Sequence, residues 1–125
     1  MTLTTSRFRA LRWSLIGAVA LLALVYILGM SLNLGFGSFA TLMNIHMGLG
    51  ALTLLAGLAA TVLALLERRT GGAVAAGIGA LFTIMAFAGG GAFLQTGQDG
   101  ASLVMALGYL GALLAFGAAL VVTHR

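Results

Sequence analysis

Few side chains in this chain can do chemistry, and the only histidine inside an apolar run has methionines gathered around it. The 125 residues include two histidines, two acidic residues and six arginines, with no cysteine and no lysine. Without cysteine there are no disulfides, no thiolate metal sites, no thiol nucleophile and no Cys-x-x-Cys-His haem attachment. His46 stands inside a long apolar run, with Met43 three residues before it and Met47 directly after. Steps of three and four residues group all three on one face of a helix. Met30 closes the apolar stretch before this one, and Met105 opens the last.

Neutral imidazole and thioether are donors for two kinds of centre. A haem iron accepts both as axial ligands, and facing helices of a bundle build such sites. His46 and Met105 are the candidate pair for a b-type haem. Cu(I), a soft ion, is suited by thioether and tolerates imidazole, so His46, Met43 and Met47 form a candidate copper site. Neither centre needs a carboxylate. A plainer reading makes His46 a polar residue near a helix end and the methionines fillers of irregular gaps.

Other chemistries find no support. Ser/His/Asp and His-Glu-x-x-His arrangements are missing. No Asp, Glu or Lys lies within an apolar stretch to carry protons, so a pump or proton-coupled transporter is not expected. The net charge of +4 sits at the ends of apolar runs, so topology rather than nucleic acid accounts for it.

The elements that must position His46 follow from composition. Hydrophobic residues make up 62% of the chain and charged ones 6%, whereas a soluble domain carries about 25% charged residues. Lipid is therefore the expected solvent. A span needs about 20 apolar residues, and four stretches qualify: about 13–34, 44–66, 73–94 and 101–122. The connections Gly35–Met43, Glu67–Gly72 and Gln95–Gly100 are short, which makes successive helices antiparallel neighbours. The first stretch follows basic residues but exceeds the length of a signal-peptide core, so it reads as a retained span. The predicted fold is all-α, an up-down bundle of four transmembrane helices in one membrane domain.

Arginine placement orients the bundle. Arg7, Arg9 and Arg12 precede the first span, Arg68 and Arg69 separate the second and third, and Arg125 follows the fourth. The other two connections have no basic residue, so both termini are expected in the cytoplasm, as in a prokaryotic inner or plasma membrane. His46 then lies near the outer face.

Two patterns bear on packing. His46, Gly50, Thr53, Gly57, Ala60 and Ala64 form a stripe of mostly small residues at three- and four-residue steps, the mark of a helix face that meets other helices. Met105, Gly108, Ala112, Ala115 and Ala119 form the matching stripe on the fourth helix. A shift of 60 residues superposes Gly17, Gly29, Gly37, Gly48 and Gly57 on Gly77, Gly89, Gly97, Gly108 and Gly117. This suggests two repeated helical hairpins, while a Gly-, Ala- and Leu-rich composition also aligns with itself readily. The shift brings His46 within one residue of Met105.

The four spans, with His46 opening the second just before Gly48-Leu49-Gly50, resemble one half of the haem A synthase fold and are similar to other small four-helix b-type haem membrane proteins. In those families histidines on the second and fourth helices face each other across the haem. His46 matches the second-helix position, whereas the fourth helix has Met105 and Ala106 there. The families' outer-side carboxylate has only Asp99, in a different loop, as a counterpart. The resemblance implies haem b binding and electron transfer, with glycine and alanine below the ligands leaving room for the porphyrin.

Among the remaining residues, Trp13 beside Arg12 reads as an interface anchor. Tyr26 and Tyr109, near mid-span, are expected to face the bundle and hydrogen-bond there. Gly89-Gly90-Gly91 reads as tight packing or a kink, or else as space for a cofactor ring. Glu67, Arg68 and Arg69 read as a solvated helix end. Asn33, Asn44, Gln95, Gln98 and Asp99 give the outer end a polar, non-basic rim. Three functions follow: a haem b electron-transfer protein, a non-catalytic accessory subunit of a larger membrane complex, or a Cu(I)-binding membrane protein. The expected partners are the lipid bilayer, a larger complex or redox partner, and a second copy of the chain.

Overall fold

A computed structural model describes residues 3–35 and 37–124. Four helices account for nearly all of them: α1 Leu3–Asn33, α2 Phe39–Leu66, α3 Thr70–Thr96 and α4 Asp99–Thr123. Each is long and apolar enough to cross a membrane, because helices satisfy every backbone polar group within the segment. The protein is a small integral membrane four-helix bundle.

The helices extend beyond the expected spans, most of all at their starts. α1 begins near Leu3 rather than residue 13, and its first turns carry the arginines past the apolar zone. α2 begins at Phe39, where Ser38 caps it by accepting a hydrogen bond from the Thr41 N–H at 3.5 Å. Met43 is therefore helical, not part of a loop. The connection expected over Gln95–Gly100 shrinks to two residues: Gly97 turns left-handed at φ 66° and Gln98 opens α4 in extended form.

Packing follows the chain. α1 lies on α2, α2 on α3, α3 on α4, and α4 closes the ring on α1. α2 and α4 thus stand on a diagonal. Small residues govern how closely neighbours meet. A Cβ at Gly89 would lie 2.5 Å from the Met105 backbone nitrogen, and one at Gly108 would lie 2.6 Å from that of Ala86. The α3 and α4 backbones touch at both points, which only glycine permits. This assigns Gly89 to packing.

The α2 face is the expected one: Thr53, Gly57, Ala60 and Ala64 are its buried residues. On α4 the buried set is Gly108, Ala112, Phe116, Ala119 and Thr123. Ala115 is only half-buried, so the expected stripe is corrected there. A phenylalanine takes the interior place because glycines on two other helices make room for it. A Cβ at Gly57 would come within 2.5 Å of the Phe116 ring, and one at Gly79 within 2.6 Å. The buried hydroxyls of Thr53, Thr83 and Thr123 each donate to the carbonyl four residues earlier. No buried side-chain polar atom among the described residues is left without a partner.

Candidate functional site

His46 lies on α2 two turns from its start and turns toward α1. Its Nδ1 donates to the Val25 carbonyl at 3.1 Å, and Cε1 would lie 3.4 Å from a Cβ added at Gly29. The ring edge therefore runs along one turn of α1, and Gly29 provides the space for it. A carbonyl only accepts, so Nδ1 carries the hydrogen and Nε2 of the neutral ring keeps its lone pair. Histidines that ligate metals are commonly anchored in this way, with one nitrogen bonded to a carbonyl and the other left to the ion.

The methionines divide between two neighbourhoods. Met43 is half-buried one turn before His46, and Met47 is exposed beside it. Met30 directly follows Gly29, the residue against which the imidazole rests, and is 41% exposed. Met105 belongs to the other hairpin: its sulfur would lie 3.3 Å from a Cβ at Gly90 of α3. His46 and Met105 are thus directed at different neighbours, α1 and α3.

The small residues below His46 leave less room than a porphyrin needs. A Cβ at Gly50 would meet the Phe87 ring at 3.0 Å, and Phe116 fills the hollow at Gly57. Phe82 does the same at Gly111, where a Cβ would come within 2.5 Å of its ring. Aromatic rings from the bundle itself occupy these hollows. The donor set accommodates one axial imidazole, but the space beside it is taken by side chains. Among the described residues no three of His, Asp and Glu come together as a metal-binding group. A centre at this end would therefore depend on thioether sulfur.

Two further expectations change. Tyr26 and Tyr109 stack on each other where α1 meets α4, with ring centroids 5.4 Å apart and planes at 30°. Tyr26 is 54% exposed, and neither hydroxyl has a hydrogen-bond partner among the described residues. Stacking, not hydrogen bonding, holds the pair. At the opposite end, the Glu67 side chain is only 6% exposed and its Oε1 lies 4.0 Å from Arg7 Nη1. Arg69 donates to the Thr123 carbonyl at 3.2 Å and lies over the Phe8 ring at 4.5 Å. Glu67 and Arg69 therefore clasp α1, α3 and α4 together instead of forming a solvated end. Arg68 alone of the three is exposed. No local pattern signals this clasp, since its partners lie some 54 or more residues apart in the chain.

Comparison with protein-family models, with characterised proteins and with solved structures finds no match. The chemistry of His46 and its surroundings carries the functional reading.

Proposed function

We propose that this membrane protein binds a soft metal ion, Cu(I), at the outer end of the α1–α2 hairpin, with His46 Nε2 as the principal donor. The anchoring of His46 Nδ1 on the Val25 carbonyl carries the reading, because it fixes the ring and leaves the second nitrogen as a lone-pair donor. Met43 and Met47 are the thioether donors expected to join it, with Met30 close by in α1. Cu(I) is satisfied by a few soft donors and needs neither a carboxylate nor a flat cavity.

A b-type haem is the second reading, favoured by the same anchored imidazole and by the resemblance to four-helix haem proteins. It requires Phe87 to leave Gly50 and Met105 to turn from α3 toward the bundle axis. Electron transfer would then be the function.

Copper titration of the purified protein under reducing conditions, against a chromogenic Cu(I) chelator, separates the readings. One bound Cu(I) is expected, with His46→Ala weakening it by about 100-fold or more and Met43→Ala or Met47→Ala by about tenfold each, given that even indirect support of a metal ligand is worth about 10–100-fold. A Soret band lost in His46→Ala would replace copper with haem. A colourless protein that binds no copper and copurifies with a membrane complex would overturn both in favour of an accessory subunit.

A further inference from the structure

Burial is distributed unevenly along the bundle axis. At the arginine end it runs to the last turns: Leu11 of α1, Ala64 of α2, Gly72 and Ala73 of α3 and Thr123 of α4 are all buried. Toward the other end, among the described residues, none is buried in 23–33 of α1, 39–52 of α2, 90–96 of α3 or 99–107 of α4. The two hairpins, α1–α2 and α3–α4, are also joined differently at the two ends. On the arginine side the Glu67–Arg69 turn links them covalently. There Arg69, at the start of α3, lies over Phe8 of α1, and Phe116 of α4 reaches into the hollow at Gly57 of α2. Toward the other end the hairpins meet through aromatic rings, Tyr26 stacked on Tyr109 and Phe87 against Gly50. Each hairpin is itself tied there, one by the His46–Val25 hydrogen bond and the other by the backbone approach at Gly89.

We propose that the protein is a hinged clamp, whose two hairpins part at the end away from the arginines and close again on the Tyr26–Tyr109 stack. Lipid gives apolar helices no hydrophobic drive to associate, so their contact rests on packing. Segments with few buried contacts open most readily. Two rigid hairpins that share one packed end therefore rotate about that end. Tyr26, 54% exposed, is the latch ring that leaves its partner. Parting lifts Phe87 from Gly50 and admits a ligand between the hairpins from that end, while the arginine end stays shut. The motion does not depend on an ion at His46, because that histidine and its anchor belong to one hairpin.

The chain has no cysteine, so pairs of spin labels can be placed on the full-length protein in phosphatidylcholine vesicles and their separations read by pulsed electron paramagnetic resonance. Ala40→Cys/Leu103→Cys spans the α2–α4 diagonal at the open end, and Leu66→Cys/Val121→Cys spans it at the arginine end, all four positions being exposed. The first pair should give two separations, a shorter closed one and a longer open one, and the second pair a single narrow one. Tyr26→Leu in the first pair should raise the ratio of open to closed about two- to tenfold, the factor one aromatic stack contributes. Tyr26→Phe keeps the stack and should leave the ratio unchanged. A single narrow separation in both pairs would overturn the clamp. Two separations in both would do the same, by showing a bundle loose throughout instead of hinged. An open-to-closed ratio that Tyr26→Leu does not move would remove the latch and the proposal with it.

Discussion

At the scale of single residues, glycine and phenylalanine form complementary pairs. Phe116 is fully buried because Gly57 on α2 and Gly79 on α3 open a hollow for its ring, and Phe82 and Phe87 fill smaller hollows at Gly111 and Gly50. Gly57→Leu places a branched side chain where even a Cβ meets Phe116 at 2.5 Å. The expected cost is about 1–3 kcal/mol, the usual penalty for overpacking a filled interior. Leu58, 46% exposed on the lipid side, should tolerate alanine with little change. Unfolding of both variants in mixed detergent measures the difference, and a neutral Gly57→Leu beside a costly Leu58→Ala would show the helix face to be misassigned. His46 belongs to the same logic, since Gly29 leaves the space in which the imidazole reaches Val25.

At the scale of elements, the two hairpins repeat each other most clearly at their turns. Gly37 and Gly97 are both left-handed, at φ 71° and 66°. Ser38 and Gln98 both follow in extended form, and the next residues, Phe39 and Asp99, start α2 and α4. All three pairs are 60 residues apart, the shift found in the sequence. The interiors agree less well: Gly57 meets Phe116, while its counterpart Gly117 has open space around it. Gly97→Ala should cost about 1 kcal/mol, because a Cβ opposes the left-handed conformation. Gly100→Ala, in the first turn of α4 with nothing near a Cβ, should be neutral or slightly stabilising. Thermal unfolding of the two variants checks this, and equal effects would remove Gly97 as the conformational switch between α3 and α4.

At the scale of the whole molecule, charge and polarity separate along the bundle. Arg7, Arg9, Arg12, Arg68 and Arg69 lie at one end, and Arg125 is outside the described residues. Asn44, Gln95, Gln98 and Asp99 are exposed at the other end, where His46 and Met105 also lie. The positive-inside rule predicts that the arginine end faces the cytoplasm. A reporter fused after Arg125 should therefore be active only inside the cell, and one inserted at Gly97 only outside. Reversed signals would invert the bundle and move the proposed copper site to the inner face.

Composition and run length were enough to settle the solvent, the number of helices and their alternating direction. These depend on the apolar content and length of each run, which are local sums that need no knowledge of neighbours. Residue pattern also determined the inner face of α2, because a stripe of small residues marks close approach whichever helix approaches. Only the packed bundle reveals which helix His46 touches, that Met105 packs on α3, and that Phe116, more fully than Ala115, enters the interior. Each of these is a property of a pair of surfaces: a large ring is welcome inside only where two distant glycines make room. The clasp of Glu67 and Arg69 at the arginine end is of the same kind. A charged triplet beside a loop reads as solvated until folding brings Arg7, Phe8 and the Thr123 carbonyl against it.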